Sequence, residues 1–455
     1  MRKVSFMGRL FGTDGVRGVA NRDLTSTLSE KIGRAGAYVL SKGSTERVKI
    51  LIGRDTRISG QMLEAALCAG ITSVGADVYL LGVAPTPAVA YLTKKYGFDA
   101  GVVVSASHNS FEFNGIKFFN KTGYKLPDEV ENEIEEYILG EKDGIPAPEG
   151  ENVGRIFDFS DKLTDYIEKA ISTTKESFKG KNFVLDCACG ASYITAKKAF
   201  EALGANVTVL SDNPDGVNIN ANCGSTHMAA LQAKVKEIGA DAGFAFDGDA
   251  DRMLAVDELG NVVDGDQIMA ICALDMKKEG KLKNDTLVAT VMSNLGLFIM
   301  GEKNAINIPK TKVGDRYVLE EMLKGGHIIG GEQSGHVIFL EHNTTGDGLV
   351  SAIALASVMC KENKPLSLLT KVIDIFPQVL KNARVAKSGD NSYCEDSVIC
   401  EAIKKLEDKF SGEGRVLIRP SGTEPLVRVM IEGKNKDEIT RDAEELAKLI
   451  EERLS

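Results

Sequence analysis

A chain of 455 residues is too long to fold around one hydrophobic core, so its length predicts two to four domains. Apolar residues make up 43% of the chain and charged residues 26%, which is typical of globular proteins. The net charge of −10, without a basic run, argues against a nucleic-acid-binding surface. The sequence also lacks an apolar run of about 18 residues, so we expect no membrane-spanning helix.

The amino-terminal residues and the cysteines predict the cellular compartment. The basic residues Arg2, Lys3 and Arg9 are not followed by an apolar run, so we expect no signal peptide. The eight cysteines are scattered, and the closest pair, Cys187 and Cys189, has no matching second pair for a zinc site. We therefore expect free thiols in a cytoplasmic protein.

The first third of the chain alternates helical and strand patterns. Apolar residues recur every three to four positions in the predicted helices, and short apolar runs indicate strands between them. In chain order the pattern predicts a helix at 27–41, a strand at 48–52, a helix from 59, a strand at 77–81, a helix at 87–96 and a strand at 101–104.

The same order of elements recurs twice more, which predicts three related α/β repeats with parallel pairing and right-handed crossovers. The second repeat is predicted as strand 183–186, helix 192–203, strand 207–210, helix 227–238 and strand 241–246. The third is predicted as strand 287–291, helix 295–302, strand 305–308, helix 316–323 and strand 327–329.

The last part of the chain departs from this order and predicts a small α+β domain. After a helix at 348–361, its elements are strand 378–385, helix 395–410, strands 416–419 and 426–432, and helix 437–453. The predicted fold is therefore α/β, with three tandem repeats of mixed, mostly parallel sheets and a C-terminal α+β domain. The predicted domains are 1–154, 155–256, 257–368 and 369–455.

The first repeat ends on an apolar strand that runs directly into a loop with Ser105, Ser107 and His108. Ligands of open α/β sheets bind just past the carboxyl ends of strands, and a hydroxyl beside an imidazole is a candidate nucleophile there. In an extended segment the two serines face the same side, so their spacing does not choose between them.

The second repeat ends on a loop with three carboxylates, Asp247, Asp249 and Asp251. In an extended segment they point the same way, and three converging carboxylates require a cation. Ligands that are all oxygen suit Mg²⁺. A calcium EF-hand loop does not fit, because Arg252 stands where that loop requires glycine.

Three further stretches carry polar side chains that are individually weak signals. Glu332, Ser334 and His336 follow the last strand of the third repeat and are suited to binding sugar hydroxyls. The glycine-rich stretch around Arg17 lacks the lysine of a P-loop. Lys117, taken alone, is typical of a solvated surface.

The turn between the two tail strands is a candidate phosphate site. Arg419 and Arg428 carry guanidinium groups that can fork onto a phosphate, and Ser421 and Thr423 with nearby backbone N–H groups can form an anion nest. Proline, serine and glycine are also common in ordinary turns. A serine nucleophile, a magnesium site, a polyol-binding loop and a phosphate site together indicate phosphoryl transfer on a phosphorylated sugar.

Six stretches of the chain resemble the motifs of the α-D-phosphohexomutases, in the order of that family and over essentially the full length. Within the family, the chain length, the sequence Gly-Arg-Asp-Thr-Arg at 53–57 and Gln333 are similar to bacterial members that act on glucosamine phosphates. Members that act on mannose and glucose phosphates are the near alternative. The matching stretches are 12–18, 105–109, 114–117, 247–252, 331–336 and 419–425.

The resemblance implies four domains around a central cleft and a role for each motif. Ser107 is implied as the phosphoserine, which would bind Mg²⁺ together with the three aspartates. The other implied residues are Arg17, His108, Lys117, Arg252 and His336 around the reacting group, Glu332 and Ser334 on sugar hydroxyls, and Arg419, Ser421, Gly422, Thr423 and Arg428 on the phosphate that does not react. The resemblance leaves His108, Lys117 and His336 unranked as proton carriers.

The activity implied by the resemblance is the interconversion of glucosamine 6-phosphate and glucosamine 1-phosphate through a bound hexose 1,6-bisphosphate. This reaction supplies UDP-N-acetylglucosamine and cell-wall precursors. The expected partners are the sugar phosphate, a kinase or bisphosphate that first loads Ser107, and a second copy in a homodimer, without nucleic acid or membrane. Two other classes are an aspartyl-phosphate phosphatase with Asp247 as nucleophile, which leaves the Ser-His loop unexplained, and a sugar-phosphate sensor that binds without turnover.

One position departs from the family pattern. The serine loop of the family usually reads Ser-His-Asn-Pro, whereas Ser110 stands here in place of the proline. Proline fixes its own φ and restricts the residue before it. We therefore expect a slightly looser loop with unchanged chemistry.

Overall fold

The chain forms two compact units, as described by a computed structural model. The first unit contains Met1–Met292 and Asn307–Lys371, and the second contains Ser293–Ile306 and Val372–Ser455. The structure describes residues 10–12, 14–42, 44, 46–387, 389, 392–410, 412–421 and 425–455.

The first repeat is built on a six-stranded mixed sheet. Its elements are β1 (Val16–Val19), α1 (Ser26–Ser41), β2 (Lys49–Arg54), α2 (Gly60–Thr72), β3 (Asp77–Val83), α3 (Thr86–Tyr96), β4 (Ala100–Val104), β5 (Phe113–Asn120), α4 (Asp128–Leu139) and β6 (Ile156–Asp158). The strand order is β1-β5-β4-β2-β3-β6. β2 is parallel to β3 and β4, and β3 is parallel to β6, whereas β5 is antiparallel to β4 and β1.

The second repeat has a five-stranded sheet in the order β11-β10-β9-β7-β8. β7 is parallel to β8 and β9, and β10 is antiparallel to β9 and β11. Its elements are α5 (Leu163–Ile171), β7 (Asn182–Asp186), α6 (Thr195–Ala202), β8 (Asn206–Leu210), α7 (Ala229–Ile238), β9 (Ala242–Phe246), β10 (Met253–Asp257) and β11 (Val262–Val263).

The third repeat has a four-stranded sheet in the order β13-β12-β14-β15. β12 is parallel to β13 and β14, and β15 is antiparallel to β14. The chain here forms α8 (Gly265–Lys278), β12 (Val288–Thr290), α9 (Leu295–Lys303), β13 (Lys310–Thr311), α10 (Asp315–Gly325), β14 (Ile329–Gly331), β15 (Val337–Phe339), α11 (Gly348–Glu362) and α12 (Leu366–Leu369).

The second unit contains α9 and an antiparallel three-stranded sheet in the order β16-β18-β17. Buried residues of α14, among them Ile439 and Ile450, pack in one core with Val429 and Ile431 of β18. The remaining elements of this unit are β16 (Gln378–Arg384), α13 (Ser397–Phe410), β17 (Gly414–Pro420), β18 (Leu426–Gly433) and α14 (Lys436–Leu454). The predicted fold class, three α/β repeats followed by an α+β domain, is confirmed. The predicted domain boundaries stay a prediction.

The three repeats share one arrangement of strands. The parallel orders β4-β2-β3, β9-β7-β8 and β14-β12-β13 correspond, and an antiparallel strand lies beside the first member of each: β5, β10 and β15. The loops β4–β5, β9–β10 and β14–β15 therefore occupy equivalent positions at the carboxyl ends of equivalent strands. These are the three loops in which the sequence places the serines, the aspartates and Glu332.

The predicted strand at 305–308 is wrong. Ala305 has a left-handed backbone (φ 51°), Ile306 is buried without joining a strand, and Asn307 forms a single bridge to Thr286. The ladder with β12 begins only after Pro309, at Lys310. Of the residues 305–308, only Ile306 is buried in the core, and none joins a strand.

Helices α1 and α2 approach each other through glycines. A Cβ at Gly70 would lie 2.1 Å from the carbonyl oxygen of Glu30, and one at Gly33 would lie 2.6 Å from that of Leu67. The backbones of the two helices are therefore in direct contact at this interface. Among the described residues, we find no helix that is both long and apolar enough to cross a membrane.

We expect Gly70→Ala to destabilise the first unit, because the added methyl group meets a carbonyl oxygen that can move only with its helix. Overpacking typically costs about 1–3 kcal/mol, which exceeds the roughly 1 kcal/mol gained from helix propensity. A lowered midpoint of thermal unfolding would report the loss. Ala69→Ser, on the exposed face of the same helix, serves as the control and should leave the midpoint nearly unchanged. Equal midpoints for the two variants would contradict the close approach.

Candidate active site

Ser107 lies where the buried strand β4 enters its loop, directly against the loop of the second repeat. Its hydroxyl donates a hydrogen bond to Oδ2 of Asp247 at 2.6 Å, and the residue is only 1% exposed. Ser107 has a left-handed backbone with φ of 53°. The strand of the first repeat and that of the second thus deliver a serine and a carboxylate to one buried point.

The two serines of the loop do not face the same side, so the expectation from an extended segment is wrong. The left-handed turn at Ser107 breaks the alternation. The Ser105 hydroxyl donates to Oδ2 of Asp55 at 2.6 Å and accepts from the backbone N–H of Ser107 at 3.0 Å. Ser105 therefore supports the loop, and Ser107 alone of the two presents its hydroxyl to the aspartates.

The three aspartates form a buried cluster at the end of β9. Their nearest carboxylate oxygens all lie within 4.8 Å of one another. The loop is not extended, since Ala250 has φ of 56°, yet the side chains converge as the spacing predicts. Burial, together with the charges of Asp251 and Asp249, raises the pKa of Asp247 well above its usual range.

This cluster fits a divalent cation. Oδ1 of Asp249 and Oδ1 of Asp251 are buried and have no hydrogen-bond partner in the part of the chain that the structure describes. Leaving buried carboxylate oxygens unsatisfied is costly, and an ion such as Mg²⁺ would satisfy them with ligands that it prefers. Ser107, Asp247, Asp249 and Asp251 are the residues placed to hold it.

Lys117 is buried, which corrects the interpretation of this residue as a solvated surface lysine. It lies in β5, is 2% exposed, and its Nζ is 2.9 Å from Oδ2 of Asp249 and 3.3 Å from Oδ2 of Asp14. Burial alone would lower the pKa of Lys117, but Asp14 and Asp249 outweigh it and hold the pKa above its usual value. Lys117 is therefore a fixed positive charge beside the aspartate cluster.

A chain of ion pairs continues from Asp14 to the third repeat. Lys125 Nζ lies 2.7 Å from Asp14 Oδ1 and 2.6 Å from Asp315 Oδ2. Asp315 Oδ2 in turn lies 3.5 Å from Nε2 of His336, whose Nδ1 is 3.5 Å from Asp251 Oδ2. Ionisable side chains thus link all three repeats around the cluster.

His108 and His336 have different surroundings. His108 Nδ1 lies 3.4 Å from the Ser107 hydroxyl, and burial, with the charges of Arg252 and Arg17, lowers the pKa of His108. His336 accepts a hydrogen bond from the backbone N–H of Gly346 at Nε2, which places its proton on Nδ1 toward Asp251.

A cavity of about 390 Å³ opens beside these groups. The third loop contributes Glu332, whose carboxylate accepts from the backbone N–H of Gly314 at 3.0 Å, and Ser334, which is exposed. Gln333 instead donates to Asp264 at 3.1 Å. The charged and polar residues that line the cavity are Asp14, Arg17, Lys125, Asp251, Arg252, Thr290, Asp315, Glu332, Gln333, Ser334 and His336.

In the second unit, Arg419 of β17 and Arg428 of β18 are directly opposite each other. Burial and the charge of Arg428 lower the pKa of Arg419. Like charges directly opposite across strands are destabilising, so this pairing is typical of a site that receives an anion. Ser421 is buried beside it at the end of β17, whereas Gly422 and Thr423 lie outside the described residues.

Sequence reasoning missed several residues that the structure brings to the site. Asp14 had a signal, because it stands beside Arg17 in the glycine-rich stretch. Lys125 and Asp315 had none, because each is a lone charged residue far away in the sequence. Thr86, which donates to Asp249 at 2.6 Å, is likewise unremarkable in the sequence.

Comparison with known proteins explains this arrangement. Models of the four domains of phosphoglucomutase/phosphomannomutase match the chain, with α/β/α domain I at residues 8–144, domain II at 160–260, domain III at 264–376 and the C-terminal domain at 380–449. The chain belongs to the α-D-phosphohexomutases. This phosphohexomutase is therefore an enzyme of the isomerase class that moves a phosphoryl group on a sugar phosphate.

Its similarity to curated relatives extends over the whole chain. It is 61% identical to phosphoglucosamine mutase of Acetivibrio thermocellus over 98% of this chain and 100% of that protein. It is 60% identical to phosphoglucosamine mutase of Ruminiclostridium cellulolyticum over 99% of this chain and 100% of that protein.

Solved structures share the fold at lower identity. A phosphoglucomutase/phosphomannomutase family protein of Burkholderia thailandensis has a TM-score of 0.79 at 22% identity, covering 97% of this chain and 96% of that one. The N-acetylphosphoglucosamine mutase of Aspergillus fumigatus, in complex with GlcNAc-6P and magnesium, has a TM-score of 0.68 at 16% identity, covering 98% and 96%. At these identities the likeness concerns the fold alone.

We expect Asp247→Asn to raise the thermal unfolding midpoint of the metal-free phosphohexomutase, because it removes one of three buried, mutually repelling carboxylates. MgCl₂ should raise the midpoint of the wild-type chain, since a ligand that binds the folded state stabilises it. The same addition should raise that of Asp247→Asn far less. Differential scanning calorimetry with EDTA and with MgCl₂ measures both effects. Asp257→Asn, outside the cluster, serves as the control for Mg²⁺ response. An unchanged response of Asp247→Asn to Mg²⁺ would argue against this site.

Proposed function

We propose that this phosphohexomutase interconverts glucosamine 6-phosphate and glucosamine 1-phosphate through phosphorylated Ser107. The observation that carries the proposal is the Ser107 hydroxyl held 2.6 Å from Asp247, inside the buried carboxylate cluster. The relatives that are about 60% identical over their full length are phosphoglucosamine mutases, which supports the choice of an amino sugar. Mannose or glucose phosphates would be the substrates of the alternative within the same family.

The proposed cycle moves one phosphoryl group out and another back. The bond between phosphorus and the Ser107 oxygen breaks as a bond to O1 of glucosamine 6-phosphate forms, while the O1 hydroxyl loses its proton and the Ser107 oxygen gains one; the return step reverses this at O6. The bound glucosamine 1,6-bisphosphate then reorients, and its 6-phosphoryl group returns to Ser107, which releases glucosamine 1-phosphate. A kinase or a hexose 1,6-bisphosphate would supply the first phosphoryl group.

The charged side chains around Ser107 would offset the charge spread over the transferring phosphoryl group. Lys117 is fixed beside Asp249, and Arg17 and Arg252 line the adjoining cavity. When bound to the phosphoserine and the three aspartates, Mg²⁺ would supply further stabilisation of that charge. We assign no other chemistry to the ion.

Of the three candidate proton carriers, His108 fits best as the base. Its lowered pKa leaves the imidazole neutral at pH 7, and its Nδ1 lies 3.4 Å from the Ser107 hydroxyl. Lys117 is committed to Asp14 and Asp249, and a raised pKa keeps it charged. A base is judged on its position first and on its pKa second, and His108 satisfies both criteria.

The sugar and its second phosphate would be bound by groups already named. Glu332 and Ser334 face the cavity of the first unit and are suited to sugar hydroxyls. Arg419, Ser421 and Arg428, with Gly422 and Thr423, would bind the phosphate that does not react. The eight free cysteines agree with a cytoplasmic enzyme. We also propose that the enzyme forms a homodimer.

The phosphatase alternative has no support. The chain belongs to a mutase family, and a nucleophilic Asp247 would leave no role for the Ser107 hydroxyl, which donates to Asp247 at 2.6 Å. An aspartyl phosphate would be sensitive to hydroxylamine, whereas a phosphoserine is stable in acid. The chemical stability of the labelled protein therefore separates the two.

Incubation with ³²P-labelled glucose 1,6-bisphosphate should label the wild-type chain in acid-stable form and leave Ser107→Ala unlabelled. Ser107→Ala should also lose at least about 10³-fold in kcat, the scale of losing a nucleophile that acts as one unit with its neighbours. Ser105→Ala keeps a hydroxyl at 107 and serves as the control, and it should still accept label. Normal labelling and turnover of Ser107→Ala would overturn the assignment.

Turnover on three substrates tests the choice of sugar. We expect kcat/KM to be highest on glucosamine 6-phosphate and lower on the 6-phosphates of glucose and mannose. A higher kcat/KM on glucose 6-phosphate or mannose 6-phosphate would leave the proposed mechanism intact. It would show that this chain has the substrate preference of the alternative within the family.

Arg419→Gln should raise KM for the sugar phosphate by about tenfold or more, because a charge-assisted hydrogen bond to phosphate contributes about 1.5–3 kcal/mol. Labelling of Ser107 by a large excess of bisphosphate should persist. Arg384→Gln, on the exposed side of β16, removes a charge from the same sheet and should leave KM unchanged. An unchanged KM for Arg419→Gln would remove this residue from the phosphate site.

A further inference from the structure

We propose that Arg57 and Asn220 position Ser107 for phosphoryl transfer by holding its backbone from two different repeats. We refer to these two residues as the backbone clamp. Neither side chain contacts the Ser107 hydroxyl, so both are positioning residues. The proposal rests on the proposed function, in which Ser107 carries the phosphoryl group.

The clamp consists of four hydrogen bonds to two carbonyl oxygens. Nη2 of Arg57 donates to the carbonyl of Ser107 at 3.0 Å and to that of Asn109 at 2.7 Å. Nδ2 of Asn220 donates to the same two carbonyls, at 2.9 Å each. Two side chains from loops that are far apart in sequence thus bind the same turn of backbone.

The turn needs such support because Ser107 has φ of 53°. Residues other than glycine rarely adopt this conformation, and it persists only where the surroundings hold it. The backbone N–H of Ser107 is held as well, by the Ser105 hydroxyl. With its N–H and its C=O both bound by side chains, the backbone of Ser107 is held in the conformation from which its hydroxyl donates to Asp247.

The clamp residues are themselves fixed. Arg57 is 1% exposed, its Nε lies 3.2 Å from Oδ2 of Asp55, and its backbone N–H donates to Oδ1 of Asp55 at 2.9 Å. Asn220 is buried, and its backbone N–H donates to the carbonyl of Ala188 at 2.9 Å. Asn220 also has a left-handed backbone (φ 57°), which asparagine tolerates better than most residues.

The clamp and the aspartate loop meet at the Ser107 carbonyl. A Cβ at Gly248 would lie 2.5 Å from that carbonyl oxygen and 2.9 Å from Nδ2 of Asn220. Gly248 stands between Asp247 and Asp249, so the backbone of the aspartate loop packs directly on the clamp. The position of Ser107 relative to the carboxylates therefore depends on the clamp as well as on strand β4.

Loss of the clamp should slow chemistry more than it weakens binding. In each cycle, the phosphoryl group must leave Ser107 in one geometry and return to it in the same geometry. A displacement of 1 Å in a reacting group can cost about 10²-fold in rate. The hydrogen bonds of the clamp involve neither Glu332 nor Ser334, the residues of the first unit proposed to bind the sugar, so we expect KM to stay within about twofold.

The test uses the full-length protein with Asn220→Ala, and Asn218→Ala as the control. Asn218 lies in the same loop, but its Nδ2 donates to Asn213 within that loop, at 3.0 Å. For each protein we would measure kcat and KM on glucosamine 6-phosphate, label on Ser107 from ³²P-labelled glucose 1,6-bisphosphate, loss of that label to water, and the thermal unfolding midpoint. Arg57→Lys, which retains the charge beside Asp55, replaces Asn220→Ala if that variant fails to fold.

We expect Asn220→Ala to accept label and to lose about 10- to 100-fold in kcat, with KM nearly unchanged and with faster loss of label to water. A kcat equal to that of Asn218→Ala, or a rise in KM at constant kcat, would overturn the clamp while leaving the proposed function intact. A wild-type chain that accepts no label on Ser107 would overturn the proposed function, and the clamp with it.

Discussion

The cost of burying like charges next to one another governs the first unit. Asp247, Asp249 and Asp251 bring three buried carboxylates within 4.8 Å of one another. A protein of this size has only about 5–15 kcal/mol of net stability, so such a cluster requires compensation. Lys117 and the His336 ring supply part of it, and two carboxylate oxygens remain for a cation.

The compensation explains why the site draws on all three repeats. Each repeat provides one loop at the carboxyl end of an equivalent strand, and the aspartates are faced by groups from all three repeats. Lys117 comes from the first repeat, Arg252 from the same repeat as the aspartates, and His336 from the third. The electrostatic requirement of the aspartates thus explains why the site is assembled from loops of all three repeats.

Much of this organisation could be predicted from sequence, because strand periodicity is local. The strands that end at Val104 and Phe246, and the loops that follow them, lie where the apolar runs predict. The aspartates converge as predicted, but through a turn with Ala250 in a left-handed conformation and not through an extended segment. The role of Ser107 was implied by the resemblance to phosphohexomutases. Lys117 is an exception. Its ion-pair partners, Asp14 and Asp249, lie about 100 or more positions away in the sequence, so its burial could not be predicted from its neighbours.

What the sequence left open depends on backbone conformation and on distant pairing. The choice between Ser105 and Ser107 follows from one left-handed residue, which no periodicity reveals. Asp14, Lys125 and Asp315 are single charged residues whose partnership exists only once the sheets are assembled. Short strands such as β11 and β13 contain two residues each, too few to produce an alternating pattern.

The antiparallel strands β5, β10 and β15 have a consequence for how this architecture can diversify. Each functional loop leaves the sheet on one strand and re-enters the same sheet on the neighbouring strand, so both of its ends are anchored. A loop anchored in this way can exchange side chains without changing its place relative to the other two. Under the proposed function, changes in sugar preference can therefore accumulate in the third loop while the loop of Ser107 keeps its geometry, which favours descendants that differ in substrate and share one reaction.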